Sequence, residues 1–253
     1  MDGEAVGQYF NAEADTYTHE HSSNEIENSP IVDGFIEPTC ERGDRMLEIG
    51  CGDGLLLEYA LESTDITDAY GIDISTEMLP NAGDDVQAEY RRASATDLPL
   101  PFEPESFDFV MMSDVLHHLV GESRSASKRK AQAALIEAVN LLRPGGYLIL
   151  KDIYYQSPVG PETLTSQLIF YGLKHLPQIA SVVDEEVLPG LLVSFYTSDE
   201  LVELLQQSGT RIVEKELEIT PVSSLPRRLL IGKSGCIRLY AQKKERGRIR
   251  SGF

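Results

Sequence analysis

Cysteine is scarce in this chain, with three residues in 253, and Cys40, Cys51 and Cys236 are scattered. A disulfide framework or a zinc site needs paired sulfurs at short spacing, so the thiols are expected to be reduced and metal-free. No apolar run approaches the ~18 residues of a membrane span, and the opening Met-Asp-Gly-Glu has neither the basic nor the apolar region of a secretory signal. The expected address is the cytoplasm. Internal repeats are lacking too, and the only biased stretch is a basic run near the end.

Cations are also in short supply. There are 22 Lys and Arg against 41 Asp and Glu, a net charge of −19, and only eight of the cations are lysine. The imbalance is uneven. From Pro221 onward nine Lys and Arg face one acid, a net +8, which leaves −27 for residues 1–220. So acidic a body repels phosphate backbones and anionic membranes over the screening length, which argues against nucleic acid as a partner. A dense carboxylate surface is also what a protein working at high salt would carry. The basic run 243–250 reads as a solvated tail.

The remaining composition is ordinary for a globular protein: 42% hydrophobic and 8% aromatic. A chain of this length suits one domain with a large core. Its most informative stretch is residues 46–54, Met-Leu-Glu-Ile-Gly-Cys-Gly-Asp-Gly, followed by Leu55, Leu56 and Leu57. An apolar run that breaks into alternating glycines and then resumes reads as strand, tight loop, helix. Such a loop sits at the carboxyl edge of an α/β sheet, where glycine lets backbone approach a ligand. A dinucleotide fingerprint wants G-x-G-x-x-G, but here the spacing is G-x-G-x-G and Leu55 stands where the third glycine would be. That counts against a nicotinamide-dependent oxidoreductase.

Asp73 ends a second apolar run 23 residues beyond Gly50, placing a carboxylate where it can accept both hydroxyls of a ribose. Three further blocks follow: Ala-Thr-Asp-Leu-Pro-Leu-Pro-Phe (95–102), Ser-Phe-Asp-Phe-Val-Met-Met-Ser-Asp-Val-Leu-His-His-Leu (106–119) and Leu-Leu-Arg-Pro-Gly-Gly-Tyr-Leu-Ile-Leu (141–150). Together with Glu48-Ile-Gly-Cys-Gly-Asp-Gly54, these blocks resemble the ordered motifs of the class I S-adenosylmethionine-dependent methyltransferases, in the small branch that includes quinone-pathway enzymes. The resemblance covers residues 45–152 closely.

It implies a doubly wound, mostly parallel seven-stranded α/β sheet with an antiparallel last strand. The chain would be one domain: a helical leader (1–42) that folds over the cofactor, a cofactor-binding core (43–152), a lid-like insertion (153–196), a C-terminal helix and strands (197–242) and the basic tail (243–253). It also implies the cofactor, S-adenosyl-L-methionine. Glu48 and the backbone of Gly50, Cys51, Gly52 and Gly54 would lie toward its methionine half, Asp73 on the ribose and Ile74 on the adenine face. Ser113 at the end of the fourth strand would touch the amino-acid part. Where the family often has Asp-Ala, this chain has Ser94-Ala95, so adenine contacts would fall to Ser94, Ala95 and Thr96 or Asp97. Asp53 is expected to cap the following helix, and Cys51 to serve as a small filler.

Methyl transfer from a sulfonium needs alignment and exclusion of water more than proton chemistry, so cofactor grip should be plain and catalytic groups few. His117 and His118 are the apt side chains near the transfer point. At most one faces the acceptor, as a base or as a structural histidine. Tyr17, Tyr154 and Tyr155 either line an acceptor pocket or pack in the core. The apolar lid favours a small acceptor with a hydrophobic portion, methylated at oxygen or carbon. Two alternatives remain: a transfer-RNA methyltransferase, and a non-catalytic cofactor-binding regulator.

The pattern along the chain predicts strands at Arg45–Ile49, Asp68–Asp73, 88–92, 107–112, 147–151, 211–219 and 236–241. It predicts helices starting at Ser29-Pro30, at 54–61, after Ser75, at 127–142 and at 201–207. Thr197-Ser-Asp-Glu200 reads as a capping box. Arg143-Pro-Gly-Gly146 reads as a helix stop, because proline cannot continue a helix. Between 152 and 196, Pro158, Pro161, Pro177 and Pro189 punctuate apolar pieces in what reads as a functional loop.

Overall fold

A computed structural model of the chain describes residues 6–12, 29–80, 87–157, 162–175, 193–220 and 231–244. Tyr17, Pro158, Pro161, Pro177, Pro189 and tail residues 245–253 lie outside them.

The sheet is built from β1 (Arg45–Ile49), β2 (Asp68–Asp73), β3 (Glu89–Arg92), β4 (Phe107–Ser113), β5 (Leu142–Gln156), β6 (Tyr196–Thr197), β7 (Thr210–Thr220) and β8 (Lys233–Lys243). Its order is β3-β2-β1-β4-β5-β8-β7, with the two-residue β6 attached to β5. All pairings are parallel except those of β8 with β5 and with β7. This is the doubly wound sheet with an antiparallel last strand. The chain order reverses between β1 and β4, which leaves a crevice at the carboxyl ends of those strands.

β1 and β4 are flanked by strands on both sides and read as continuous apolar runs because both faces are buried. On one face, Leu47, Ile49, Val110, Met112, Leu148 and Leu150 pack against helices α2 (Arg124–Leu141) and α4 (Ser198–Gln207). On the other, Met46, Phe109, Met111 and Ile149 meet α1 (Leu55–Ser63) and the turn at Val32–Ile36. Phe35 locks that turn down by stacking on Tyr240 with ring centroids 4.2 Å apart.

Several local expectations are refined. Helix α2 starts at Arg124, three residues before the predicted start, because Ser123 caps it by accepting from Ala126 N at 3.2 Å. The described residues after Ser75, up to Pro80, form one turn instead of a helix, and Ser75 Oγ accepts from Met78 N at 3.2 Å. After Leu141 the chain does not leave the sheet. Leu142 already pairs with Phe107, and Arg143 to Gly146 form a bulge before the regular register resumes at Tyr147. Gly146 allows this, since a Cβ there would press on Asp108 O. At its other end β5 runs on to Gln156, so residues 153–156 are strand, and helix α3 (Glu162–His175) follows.

The capping box is present as written: Thr197 Oγ1 accepts from Glu200 N at 3.2 Å, and Glu200 Oε2 accepts from Thr197 N at 3.1 Å. Arg124 and Lys128 also hold Glu200, at 2.5 and 3.0 Å, which ties α4 to α2. Replacing the cap, Thr197→Ala, is expected to destabilise the protein by about 1 kcal/mol. Calorimetry should record a melting temperature lower by roughly 2–4 °C.

Candidate active site

The β1–α1 loop takes its shape from three residues with positive φ: Gly50 (+80°), Gly52 (+53°) and Gly54 (+76°). A side chain at Gly50 would collide with Val115, and one at Gly54 with the Tyr90 hydroxyl. The alternation is therefore required by both conformation and space. The loop is fastened to the end of β2: Ile72 O accepts from Gly50 N at 2.7 Å and from Cys51 N at 3.1 Å, and Asp73 Oδ2 accepts from Gly52 N at 3.1 Å. Asp73 Oδ1 accepts from Ser75 N at 2.8 Å. Burial raises the Asp73 pKa, against the lowering effect of these N–H donors.

Beyond this loop lies a cavity of about 660 Å³. Glu48, Gly50, Cys51, Gly52, Asp73, Ile74, Ser94, Ala95, Thr96, Ser113 and His118 all line it, although they come from five separate stretches of chain. Gly54 does not; it precedes α1 and packs on Tyr90. Asp53 lines the wall and also accepts from Leu55 N at 3.3 Å, at the start of α1. Ser94 Oγ and Thr96 Oγ1 lie 2.9 Å apart and share a hydrogen bond; Thr96, not Asp97, reaches the wall. The Cys51 thiol is buried, and burial drives its pKa far above the usual thiol value, which suits a filler and not a nucleophile.

The two histidines part company. His117 is buried and turned away from the cavity, with Nδ1 2.7 Å from Asp152 Oδ1. Asp152 also accepts from Leu116 N and Ile153 N. His118 faces the cavity. Its Nδ1 is buried without a hydrogen-bond partner among the described residues, its ring meets Phe10 edge-on at 5.1 Å, and His117 lies 3.9 Å away. Burial, with His117 second, holds its pKa well below the ordinary histidine value, so the ring is neutral at neutral pH.

Tyr154 and Tyr155 do not reach the wall. Tyr154 joins the main core, and Tyr155 packs with Ile169, Val193 and Phe195 while its hydroxyl meets Ser166. Both side chains point from a fully flanked strand into packed layers, so the core alternative describes their placement. Residues 6–12 are helical and contribute Val6 and Phe10 to the wall, and Asn11 Oδ1 accepts from Ser75 Oγ at 2.6 Å.

Sequence reasoning missed Asp114, Lys151, Glu218, Cys236 and Arg238, all of which line the cavity. Asp114 has φ +56°, rare for a residue with a side chain, and Lys151 Nζ donates to its Oδ2 at 2.7 Å. A signal was present: Lys151 is the first charge after the apolar run 147–150, and it pairs with Ser113 at the end of β4.

Glu48 is 4% exposed, and its Oε2 is buried without a partner among the described residues. Burial, reinforced by Asp53 and only partly countered by Lys151, pushes its pKa up to about 8. A buried acceptor left unpaired beside a cavity points to a ligand that donates to it.

Residues 47–150 match the family model of a methyltransferase domain. The match covers less than half of the chain and marks that stretch as similar to a methyltransferase domain. The cofactor that the motif resemblance implies for such a domain is S-adenosylmethionine. The chain is 34% identical over 130 residues to 27-O-demethylrifamycin SV methyltransferase of Amycolatopsis mediterranei, a match covering 47% of this chain and 43% of that protein. It is 29% identical over 189 residues to the ubiquinone biosynthesis O-methyltransferase of Roseobacter denitrificans, covering 72% and 66%. The chain thus spans less than two thirds of either relative's length. Among solved structures, the [4+2]-cyclase SpnF superposes with a TM-score of 0.63 at 15% identity over 96% of each chain. At that identity the likeness speaks for the fold alone.

The residues present fit this cofactor. Asp73 keeps carboxylate lone pairs for ribose hydroxyls beyond its backbone donors, the glycine turn leaves backbone open to the cavity, and the unpaired Glu48 oxygen suits a donating amino group. The site therefore carries a testable proton linkage. A carboxyl whose folded pKa lies above its unfolded value stabilises the fold fully below the unfolded pKa, and that contribution is lost as pH rises through about 8. Glu48→Gln should thus melt close to wild type near pH 4 and above it at pH 9, by up to about 4 kcal/mol. Thermal unfolding across that range checks the sign; equal melting curves at pH 9 would refute it.

Proposed function

We propose that this chain transfers a methyl group to a hydroxyl oxygen of a small, partly hydrophobic molecule. The observation that carries the reading is the convergence, on one cavity, of the glycine turn, Asp73, the unpaired Glu48 oxygen and the unpaired His118 nitrogen. S-adenosylmethionine supplies, when bound, a methyl activated for displacement on a sulfonium. The chain's own task is then to bind, align and dehydrate.

Asp73 and Ile74 orient the nucleoside end, with Ser94, Ala95 and Thr96 alongside. The backbone of Gly50 to Gly52 and the side chain of Glu48 orient the amino-acid end. Val115, Leu119 and Val120, next to His118 in sequence, give the wall an apolar stretch that suits the hydrophobic part of an acceptor. Phe10 closes over His118 and excludes water. With its proton on Nε2, His118 offers a bare Nδ1 to an acceptor hydroxyl and removes the proton as oxygen gains the methyl. Both curated relatives named above bear O-methyltransferase names, which supports oxygen over carbon. The acidic body and the size of the cavity favour a small acceptor over RNA.

The test is transfer of labelled methyl from S-adenosylmethionine into a cell extract fractionated into small-molecule, RNA and protein pools. Label is expected in base-stable ether products of the small-molecule pool. His118→Ala should lower kcat by about 100-fold with little effect on cofactor affinity, in line with loss of a general base. Label confined to RNA, or an unaltered kcat in His118→Ala, would contradict the reading.

A further inference from the structure

One row of side chains crosses the sheet at the carboxyl edge of the cavity. Ser113 on β4 pairs with Lys151 on β5, Lys151 with Arg238 on β8, and Arg238 with Glu216 on β7. Directly opposed residues in neighbouring strands share a face, with Cβ atoms about 5 Å apart, and like charges so placed destabilise a sheet. Here two cations stand opposed on buried strands, in a chain with few cations to place, and both line the cavity together with Ser113.

The partners of Arg238 leave room for a ligand. Arg238 donates through Nη1 to Glu216 at 3.4 Å and through Nη2 to Glu218 at 3.0 Å. A guanidinium carries five N–H donors, so three remain beyond those bonds among the described residues. The Arg238 side chain is only 17% exposed, whereas those of Glu216 and Glu218 are 37% and 64% exposed. Exposed carboxylates of this kind hold a cation weakly in water. A carboxylate entering the cavity competes with Glu218, which also lines it, for the guanidinium, and can take it in the planar geometry that arginine favours. Asp114 meanwhile fixes Lys151 from the other side, at 2.7 Å.

We propose that Lys151 and Arg238 form an anion subsite that anchors a carboxylate on the acceptor, so that the acceptor class is a hydroxylated, partly apolar carboxylate. This rests on the methyl-transfer reading of the cavity. It deepens that reading by assigning the charged end of the acceptor to the β5–β8 wall. The apolar body is then left to the wall near Val115 and Leu119, and the hydroxyl to His118.

The test titrates benzoate, with benzamide as its neutral counterpart, into the full chain with and without saturating S-adenosylhomocysteine. Wild type is expected to bind benzoate at least tenfold more tightly than benzamide. Arg238→Met should abolish that preference while leaving affinity for S-adenosylhomocysteine within about twofold. Because Arg238→Met removes a partly buried ion pair and could fail to fold, wild-type protein labelled in its arginine side chains gives a second reading: the Arg238 Nε–H resonance should shift with benzoate and not with benzamide. Equal affinity for the two probes, or an unmoved Arg238 resonance, overturns the subsite. So does a Lys151→Met variant that loses tenfold in S-adenosylhomocysteine affinity while benzoate binding stays intact, since the anion would then be the cofactor's own carboxylate. Failure of S-adenosylhomocysteine to bind sinks the methyl-transfer reading instead, and the benzoate titration in its absence still decides the subsite.

Discussion

The whole site hangs from a clasp between two neighbouring strands. Ile72 O, at the end of β2, accepts from two consecutive amides of the glycine turn, and Asp73 Oδ2 takes a third two residues on. Those bonds form only because β1 and β2 run parallel in a register that sets Ile49 beside Ile72, and because residues 50, 52 and 54 can adopt positive φ. With the turn so fixed, Glu48 is sealed beneath it, Asp73 is presented beside it, and α1 departs at an angle that seats Leu57 and Ala60 in the core. A site built on rigid strand ends in this way holds its groups in place before a ligand arrives.

The cavity departs from the rule that buried polar atoms are paired. Leaving a buried acceptor unsatisfied costs about 1–3 kcal/mol, and the Glu48 oxygen and the His118 nitrogen both stand so among the described residues. Other buried atoms, the Tyr196 and Tyr240 hydroxyls and Gln132 Oε1 among them, are also unpaired among the described residues, but none of those belongs to a residue that lines the cavity; Asp152, by contrast, collects His117, Leu116 N and Ile153 N. Two unpaired atoms on residues that line one cavity, beside a carboxylate with lone pairs to spare, are intelligible as groups waiting for donors that a ligand brings. The same logic explains Asp114, whose rare backbone conformation persists because its amide donates to Lys151 O and its carboxylate holds Lys151 Nζ.

Much of this was legible in the residues. The strand–glycine–helix pattern, Asp73 and the apolar runs placed β1, β2 and β4 within a residue or two, and found the middle of β5, which runs five residues further at each end. Thr197 to Glu200 announced its own cap. What stayed hidden was set by tertiary packing. The strand continuation through Arg143 to Gly146 depends on Leu142 finding Phe107 across 35 residues of chain. Tyr154 and Tyr155 could have faced the cavity or the core, and only the layers on either side of β5 decided it. Which histidine faced the cavity depended on Asp152, a partner 35 residues away. The cations of the acceptor wall come from β5 and β8, about 90 residues apart, and no local pattern brings them together.

The central claim is that Asp73 and the turn it clasps grip a nucleoside and an amino acid joined through one sulfur. The most direct measurement is calorimetric titration of S-adenosylhomocysteine into the wild-type chain and into Asp73→Ala. Micromolar one-to-one binding in the wild type, weakened at least tenfold in a folded Asp73→Ala variant, is the expected result. No heat with the wild type, or equal affinity in the two proteins, would contradict it.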